Sequence, residues 1–163
     1  CAKYNLLKPE DINSFNLFKG SWSTIFLDKN NRNITDGYFD ATRDNRINWL
    51  LEKFNVENKK VLELGPLEAG HTIMLENNGA DVTSIESNIG AFLRCLIVKN
   101  QYNLNTKFIL GDFTKMVFDE NQFDLVVASG VLYHMVDAIQ LLEQIASYSK
   151  SKIIFSLGSS PII

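Results

Sequence analysis

A regular alternation of short apolar strands with helical segments runs through residues 60–157 and limits the fold more than any other feature. The strand segments are KVLEL (60–64), DVTSIE (81–86), KFILGD (107–112), FDLVVA (123–128) and KIIFSL (152–157). Helical patterns separate most of them, and the first, AGHTIMLENNGA, ends at an Asn-Gly stop signal. Such alternation implies right-handed crossovers, so the sequence predicts an α/β fold with a doubly wound, mostly parallel sheet.

The segment before this alternation, residues 1–57, is predicted to be an N-terminal extension with a lid or helical part, and residues 58–163 to be the core. A short helix is expected over residues 9–19, and a loose hairpin or loop over residues 20–39. Apolar residues at helical spacing predict a further helix over residues 40–55. In the last helical segment, Ile139, Leu142 and Ile145 are expected to lie on one face.

The composition excludes several classes of protein. The chain of 163 residues carries 16 basic and 19 acidic residues and no long basic run, which gives little support to nucleic-acid binding driven by charge. It has neither an apolar run of transmembrane length nor a signal peptide, so a cytoplasmic protein without a membrane span is expected. Two distant cysteines, Cys1 and Cys95, predict free thiols and no metal site.

Polar residues and glycines terminate the predicted strands. Ligands of open parallel sheets bind beyond the carboxyl ends of the strands, so these positions are the candidates for a binding site. They are Glu63 and Gly65 after the first strand, Glu86 after the second, Asp112 after the third and residues 129–134 after the fourth.

The spacing between Gly65 and Glu86 favours a nucleoside. Glu86 follows Gly65 by 21 residues and ends the next strand, where a carboxylate accepts hydrogen bonds from both ribose hydroxyls. A solvated acid at a strand end is the alternative. Asp112 can accept from an adenine amino group while Phe113 packs on the ring, and a helix N-cap is an equally open interpretation of Asp112.

Four segments in order, VLELGPLEAGHT, SIESN, LGDF and FDLVVASGVLYHM, resemble motifs of the class I S-adenosylmethionine-dependent methyltransferases. The resemblance covers residues from about 60 to 157. It implies a Rossmann-like sheet of order 3-2-1-4-5 and S-adenosyl-L-methionine as the cofactor. The family's usual C-terminal strands are missing, so we expect a truncated chain, a natural minimal form, or a dimer or other partner covering that sheet edge.

The resemblance also implies roles for single residues. Leu67 and Ala69 stand where a dinucleotide loop has glycine, which argues against NAD. Glu63 would orient the loop or the ligand's ammonium, and Glu86, with Ser87 beside it, would hold the ribose. The remaining expected contacts are Gly65 and Leu67 with the methionine portion, Asp112 and Phe113 with the adenine, and Ser129 and Gly130 with the sulfonium.

The acceptor side is predicted from residues outside these motifs or at their ends. His134 is the candidate general base, because an imidazole titrates near neutral pH, and a capping or packing role is the alternative. Tyr133 would shape the acceptor pocket, Tyr38 and Arg43 are candidate lid or substrate contacts, and His71 is interpreted as structural. The sequence thus predicts methyl transfer to a small molecule, with a nucleoside-binding module that does not methylate, or that cleaves the cofactor, as the alternative.

Overall fold

The computed structural model describes residues 4–156, with side chains as far as Lys150. Five α-helices and five strands alternate through most of the chain. The helices are α1 (Ile12–Asn16), α2 (Asn45–Lys53), α3 (Gly70–Asn77), α4 (Ile89–Tyr102) and α5 (Ala138–Tyr148). The strands are β1 (Lys60–Leu64), β2 (Asp81–Glu86), β3 (Lys107–Leu110), β4 (Phe123–Ser129) and β5 (Ser149–Ser156).

The five strands form one parallel sheet in the order β3-β2-β1-β4-β5. The chain therefore reverses its direction of travel across the sheet between β1 and β4, and the carboxyl ends of these two strands meet there. This confirms the predicted doubly wound sheet and its strand order. It also places the loops after β1, β2 and β4 at one edge, where a ligand can reach all three.

The bounds of three strands differ from the prediction, and for β4 the difference is a single residue, since it ends at Ser129 instead of residue 128. β3 ends at Leu110 rather than Asp112, because the Asp112 carboxylate accepts from the amide of Thr114 and starts a short 3-10 helix, Phe113–Lys115. β5 begins at Ser149, directly after α5, and pairs with Phe123 before the register shifts. Leu157, the predicted end of this strand, lies outside the described residues.

Both faces of the sheet are covered, as expected for a parallel sheet. Successive side chains of a strand point to opposite faces, so Leu62 packs towards α5 while Val61 packs towards α2 and α3. The buried face of α5 is formed by Leu141, Ile145 and Tyr148. Of the three apolar residues predicted to lie on one face of this helix, Ile145 is buried, whereas Ile139 is 71% exposed because the sheet packs against a neighbouring apolar stripe.

The N-terminal segment packs on the same side as α4. Phe15, Trp22 and Phe26 form an aromatic cluster against Cys95 and other residues of α4. An antiparallel bridge between Leu27 and Asn33 closes the loose hairpin that the sequence predicts. The segment then returns to the sheet through a 3-10 helix, Ala41–Arg43, and α2.

No helix within residues 4–156 has the length and apolarity that a membrane crossing requires; the longest, α4, has 14 residues.

Candidate cofactor site

A cavity of about 620 Å³ opens at the carboxyl ends of β1, β2 and β4. One wall is formed by the loops after these strands, and the opposite wall by the N-terminal segment and the start of α3. Predicted site residues on the cavity are Gly65, Leu67, Glu86, Ser87, Phe113, Ser129, Gly130, Tyr133, His134 and Tyr38. The topology therefore brings together most of the positions that the sequence singled out.

The loop after β1 has a left-handed backbone at three positions. Gly65, Leu67 and Ala69 have φ angles of 65°, 56° and 65°. A Cβ on Gly65 would also lie 2.8 Å from Cγ2 of Val131, so glycine is required there. At Leu67 and Ala69 the left-handed conformation costs roughly 1–2 kcal/mol per residue. The chain thus keeps the backbone shape of a glycine loop while carrying side chains at two of its positions.

Hydrogen bonds hold this loop in place. The amide of Leu67 donates to Oε2 of Glu86 at 3.1 Å, and the Cys95 thiol donates to the carbonyl of Leu67 at 3.6 Å. The amide of Ala69 donates to the carbonyl of Pro66 at 2.9 Å, which closes a tight turn. The loop is therefore joined to both β2 and α4.

Glu86 is buried at the end of β2, yet it keeps hydrogen-bonding capacity. Its Oε2 accepts from Leu67, and its Oε1 accepts from the amide of Asn88 at 2.8 Å. A carboxylate oxygen has two lone-pair sites, so each oxygen retains one for a ligand. Because Glu86 also lines the cavity, its carboxylate is a candidate pair of acceptors for a ligand bound there.

Glu68 joins the loop to the N-terminal segment, and sequence reasoning missed it. Its side chain is fully buried, accepts from the amides of Ser23 at 3.0 Å and Thr24 at 2.7 Å, and lies 3.0 Å from Nε of Arg94. These partners place Ser23 and Thr24 on the cavity wall. No local pattern could have found the contact, because the amides lie some forty residues earlier in the chain.

A second buried carboxylate, Asp44, binds two side chains of the cavity wall. Asp44 accepts from Nε2 of His71 at 2.9 Å and from the Arg46 guanidinium, which approaches to 2.5 Å. Burial alone would raise the pKa of Asp44, but the hydrogen bonds from His71 and Arg46 outweigh it and hold that pKa far below its usual range. His71, interpreted from sequence as structural, is thus both anchored in the fold and part of the cavity wall.

The loop after β4 carries the candidate acceptor-side residues. Tyr133 and His134 belong to a 3-10 helix, Leu132–His134, and their rings lie 4.0 Å apart between centroids. Both side chains are exposed and face the cavity. Oγ of Ser129, also on the cavity, is buried and has no hydrogen-bond partner among the described residues. A buried hydroxyl without a partner is unfavourable, so this atom is suited to a ligand.

Glu63 does not line the cavity, because it lies beneath the loop in the core. It is 3% exposed, and its Oε2 accepts from the hydroxyls of Thr72 at 2.5 Å and Ser84 at 2.7 Å. Burial raises the pKa of Glu63, and these hydroxyls oppose that shift. The bond to Thr72 on α3 is compatible with the predicted loop-orienting role, and contact with a ligand's ammonium stays a prediction.

Asp112 and Arg43 also lie outside the cavity lining. Asp112 is exposed and caps the 3-10 helix through bonds from the amide and the hydroxyl of Thr114, at 3.0 and 2.7 Å. These bonds lower the pKa of Asp112. The N-cap interpretation is thus the one seen here, while neighbouring Phe113 does line the cavity. The Arg43 side chain is 87% exposed and pairs with Asp40 at 3.2 Å.

Known proteins share this sequence pattern and fold. A family model described as a methyltransferase domain matches residues 62–155, more than half of the chain. A tRNA U34 carboxymethyltransferase from Nautilia profundicola is 28% identical over 115 residues, which are 69% of this chain and 38% of that protein. The chain therefore spans well under half the length of this curated relative.

Solved structures agree on the fold. A Pyrococcus horikoshii protein superposes with a TM-score of 0.61 at 23% identity, covering 67% of this chain and 52% of that one. A methyltransferase from Aquifex aeolicus, dependent on S-adenosylmethionine, superposes with a TM-score of 0.57 at 16% identity, covering 69% of each chain. The segment matched by the family model begins within β1 and ends within β5, so it includes at least part of every strand of the sheet. The chain therefore belongs to the class I S-adenosylmethionine-dependent methyltransferases.

Proposed function

We propose that the 620 Å³ cavity binds S-adenosyl-L-methionine and that the protein transfers its methyl group to a small-molecule acceptor. The observation that carries the proposal is the meeting of three strand ends at one cavity. Gly65 after β1, Glu86 at the end of β2 and Ser129 at the end of β4 all lie on its wall.

The residues present fit this cofactor. Glu86 retains one lone-pair site on each oxygen, which suits two adjacent ribose hydroxyls. Phe113 offers an apolar surface for a base, and the buried hydroxyl of Ser129 is free to bind a polar atom. The bound cofactor would supply a methyl group on a positively charged sulfonium. Gly65 lets the chain come close to it where any other side chain would clash with Val131.

The size of the cavity and the net charge of the chain support a small acceptor. Cavities that bind small molecules typically measure about 300–1,000 Å³. The chain carries a net charge of -3 and no long basic run, so it lacks the features that attract a phosphate backbone. Tyr38 and Tyr133, both exposed at the cavity, offer aromatic surface to an organic acceptor.

On the acceptor side, His134 is the proposed general base. If the acceptor is a hydroxyl, the imidazole would take its proton as the oxygen bonds to the methyl carbon and the carbon–sulfur bond breaks, with the neutral thioether as leaving group. Tyr133 would shape the pocket beside it. The protein would otherwise act mainly by aligning the two reactants.

Binding and transfer are tested separately. Calorimetry with S-adenosylmethionine, S-adenosylhomocysteine and NAD should show binding of the first two only, and binding of NAD alone would contradict the proposal. A screen with methyl-labelled cofactor then compares a metabolite extract with bulk tRNA, because the relative from Nautilia profundicola is a tRNA-modifying enzyme. Label in tRNA alone would show that the acceptor is tRNA and not a small molecule. Binding without any transfer would favour the nucleoside-binding alternative.

His134→Ala tests the base once an acceptor is found. Loss of a general base lowers turnover by about 10²–10⁴-fold, while the affinity for S-adenosylhomocysteine should stay nearly constant. His134→Gln is the control, because it keeps the size and polarity of the side chain without a titrating group. If His134→Gln restores most of the turnover, His134 shapes the pocket and does not act as a base.

A further inference from the structure

We infer that Glu68 is a positioning residue for the cofactor: it holds the loop after β1 in its left-handed form by binding the N-terminal segment. This inference rests on the proposed function, since it concerns the same cavity. It makes the segment around Ser23 and Thr24 part of the cofactor site, although it lies far from the family's motifs in sequence.

Both carboxylate oxygens of Glu68 bind groups of the protein itself. Both oxygens lie 3.0 Å from the amide nitrogen of Ser23, and Oε2 accepts from Thr24 at 2.7 Å. The Arg94 guanidinium lies 3.0 Å from Oε1 and also packs over the rings of Phe18 and Trp22, at 5.6 and 6.0 Å. A carboxylate buried in this way is stable only while these donors are in place.

Glu68 lies within the loop after β1, so its contacts can hold the backbone of that loop in place. It stands between Leu67 and Ala69, the two residues that hold left-handed backbone conformations without being glycine. An unanchored loop would relax towards the ordinary right-handed or extended regions, which other residues prefer. Relaxation at Leu67 would move the amide that now donates to Glu86, and with it the loop surface that lines the cavity.

The N-terminal segment is also seated tightly on the far side of the loop. A Cβ added to Gly70, at the start of α3, would lie 2.8 Å from Cβ of Ala41 and 3.3 Å from Cγ2 of Thr24. The segment therefore touches the loop backbone itself, so a change in one must move the other. Pre-organisation of this kind raises affinity because less ordering remains to be done when the ligand binds.

The test compares two carboxylates that each bind two backbone amides: Glu68, which is fully buried, and Glu76, which is partly buried. Glu68→Gln removes the negative charge that the amides of Ser23 and Thr24 and the guanidinium of Arg94 contact. The matched control is Glu76→Gln, because Glu76 accepts from the amides of Asn105 at 2.8 Å and Thr106 at 2.9 Å without lining the cavity. Both variants should lose thermal stability. Only Glu68→Gln should weaken binding of S-adenosylhomocysteine, by roughly tenfold or more in calorimetry well below the unfolding temperature.

A second measurement needs no variant and keeps the inference testable if Glu68→Gln fails to fold. Binding and ordering are reciprocal, so S-adenosylhomocysteine should slow hydrogen exchange at the amides of Ser23 and Thr24. The amides of Asn105 and Thr106 serve as the internal reference and should not change. Unchanged exchange at Ser23 and Thr24, or equal affinities of Glu68→Gln and the wild type, would overturn the inference.

These outcomes are distinct from failure of the proposed function. If the wild-type protein binds neither S-adenosylmethionine nor S-adenosylhomocysteine, the proposed function is wrong. If the wild type binds but Glu68→Gln and Glu76→Gln behave alike, Glu68 has only a structural role.

Discussion

The two walls of the cavity are built by different means. The sheet-side wall is made of residues that directly follow or end a strand, such as Gly65, Glu86 and Ser129. The opposite wall, with Ser23, Thr24 and other N-terminal residues, contains no strand of the main sheet. This wall is held by the buried carboxylates of Glu68 and Asp44, which bind residues distant in sequence, Thr24 and His71.

This difference separates local from non-local information. A residue at the end of a parallel strand is placed by the pattern of its own segment and by the topology of the sheet. A residue such as Thr24 is placed by a carboxylate some forty positions away, and no period or spacing in the sequence marks that pairing. We therefore expect substitutions on the sheet side to change ligand contacts directly, and substitutions on the N-terminal side to act through the anchors.

The largest expected effect is on the sheet side. Glu86→Ala removes the acceptor pair proposed for the ribose, and hydrogen bonds to a charged group contribute about 1.5–3 kcal/mol each. Affinity for S-adenosylhomocysteine should fall by at least about tenfold, as measured by calorimetry. The exposed Glu120 lies outside the cavity lining, so Glu120→Ala is the control. An unchanged dissociation constant for Glu86→Ala would make Glu86 a loop-supporting residue only.

A smaller effect, mainly on stability, is expected at the anchor of the N-terminal wall. Asp44→Asn keeps the shape of the side chain but removes the charge that binds His71 and Arg46. The free energy of unfolding at neutral pH should fall by about 1.5–3 kcal/mol, the contribution of one hydrogen bond to a charged group. Urea denaturation measures this loss, and the exposed Asp119→Asn should show little change.

The same substitution has a pH signature. The pKa of Asp44 is lower in the folded protein than its ordinary value of 3.8. The ionised form is therefore favoured by folding, and its stabilisation is complete above about pH 4 and is lost as the pH falls below that value. Asp44→Asn should flatten the acid side of the stability profile. A profile that stays as steep as in the wild type would show that Asp44 does not control it.

The features that could be predicted from the sequence are those determined by local segments. β1 and β2 match their predicted bounds residue for residue. The boundary of β3 was wrong because a side-chain cap at Asp112 competed with strand pairing. The apolar face predicted on α5 did not reveal that Ile139 would be exposed, because the sequence does not show which apolar stripe of a helix the sheet will cover.

The candidate site divides in the same way. Gly65, Glu86 and Ser129 were predicted from strand ends and lie on the cavity. Glu68 and Asp44 were missed, because their importance comes from burial and from distant donors, neither of which the sequence shows. The role of Asp112 at the adenine stays a prediction, since its carboxylate caps a helix outside the cavity lining.

The smallest expected effect tests whether the left-handed loop stores strain. Leu67 is 46% exposed with a φ of 56°, and Leu96 is 39% exposed within the right-handed α4. Glycine at Leu67 relieves roughly 1–2 kcal/mol of left-handed strain, which should offset most of the lost packing and the added chain entropy. Glycine at Leu96 brings no such relief and costs about 1 kcal/mol in helix propensity besides the lost packing. In urea denaturation, Leu67→Gly should therefore be more stable than Leu96→Gly by about 2 kcal/mol. Equal destabilisation by the two would mean that the loop adopts its left-handed form without strain, and that it needs no anchor from the N-terminal wall.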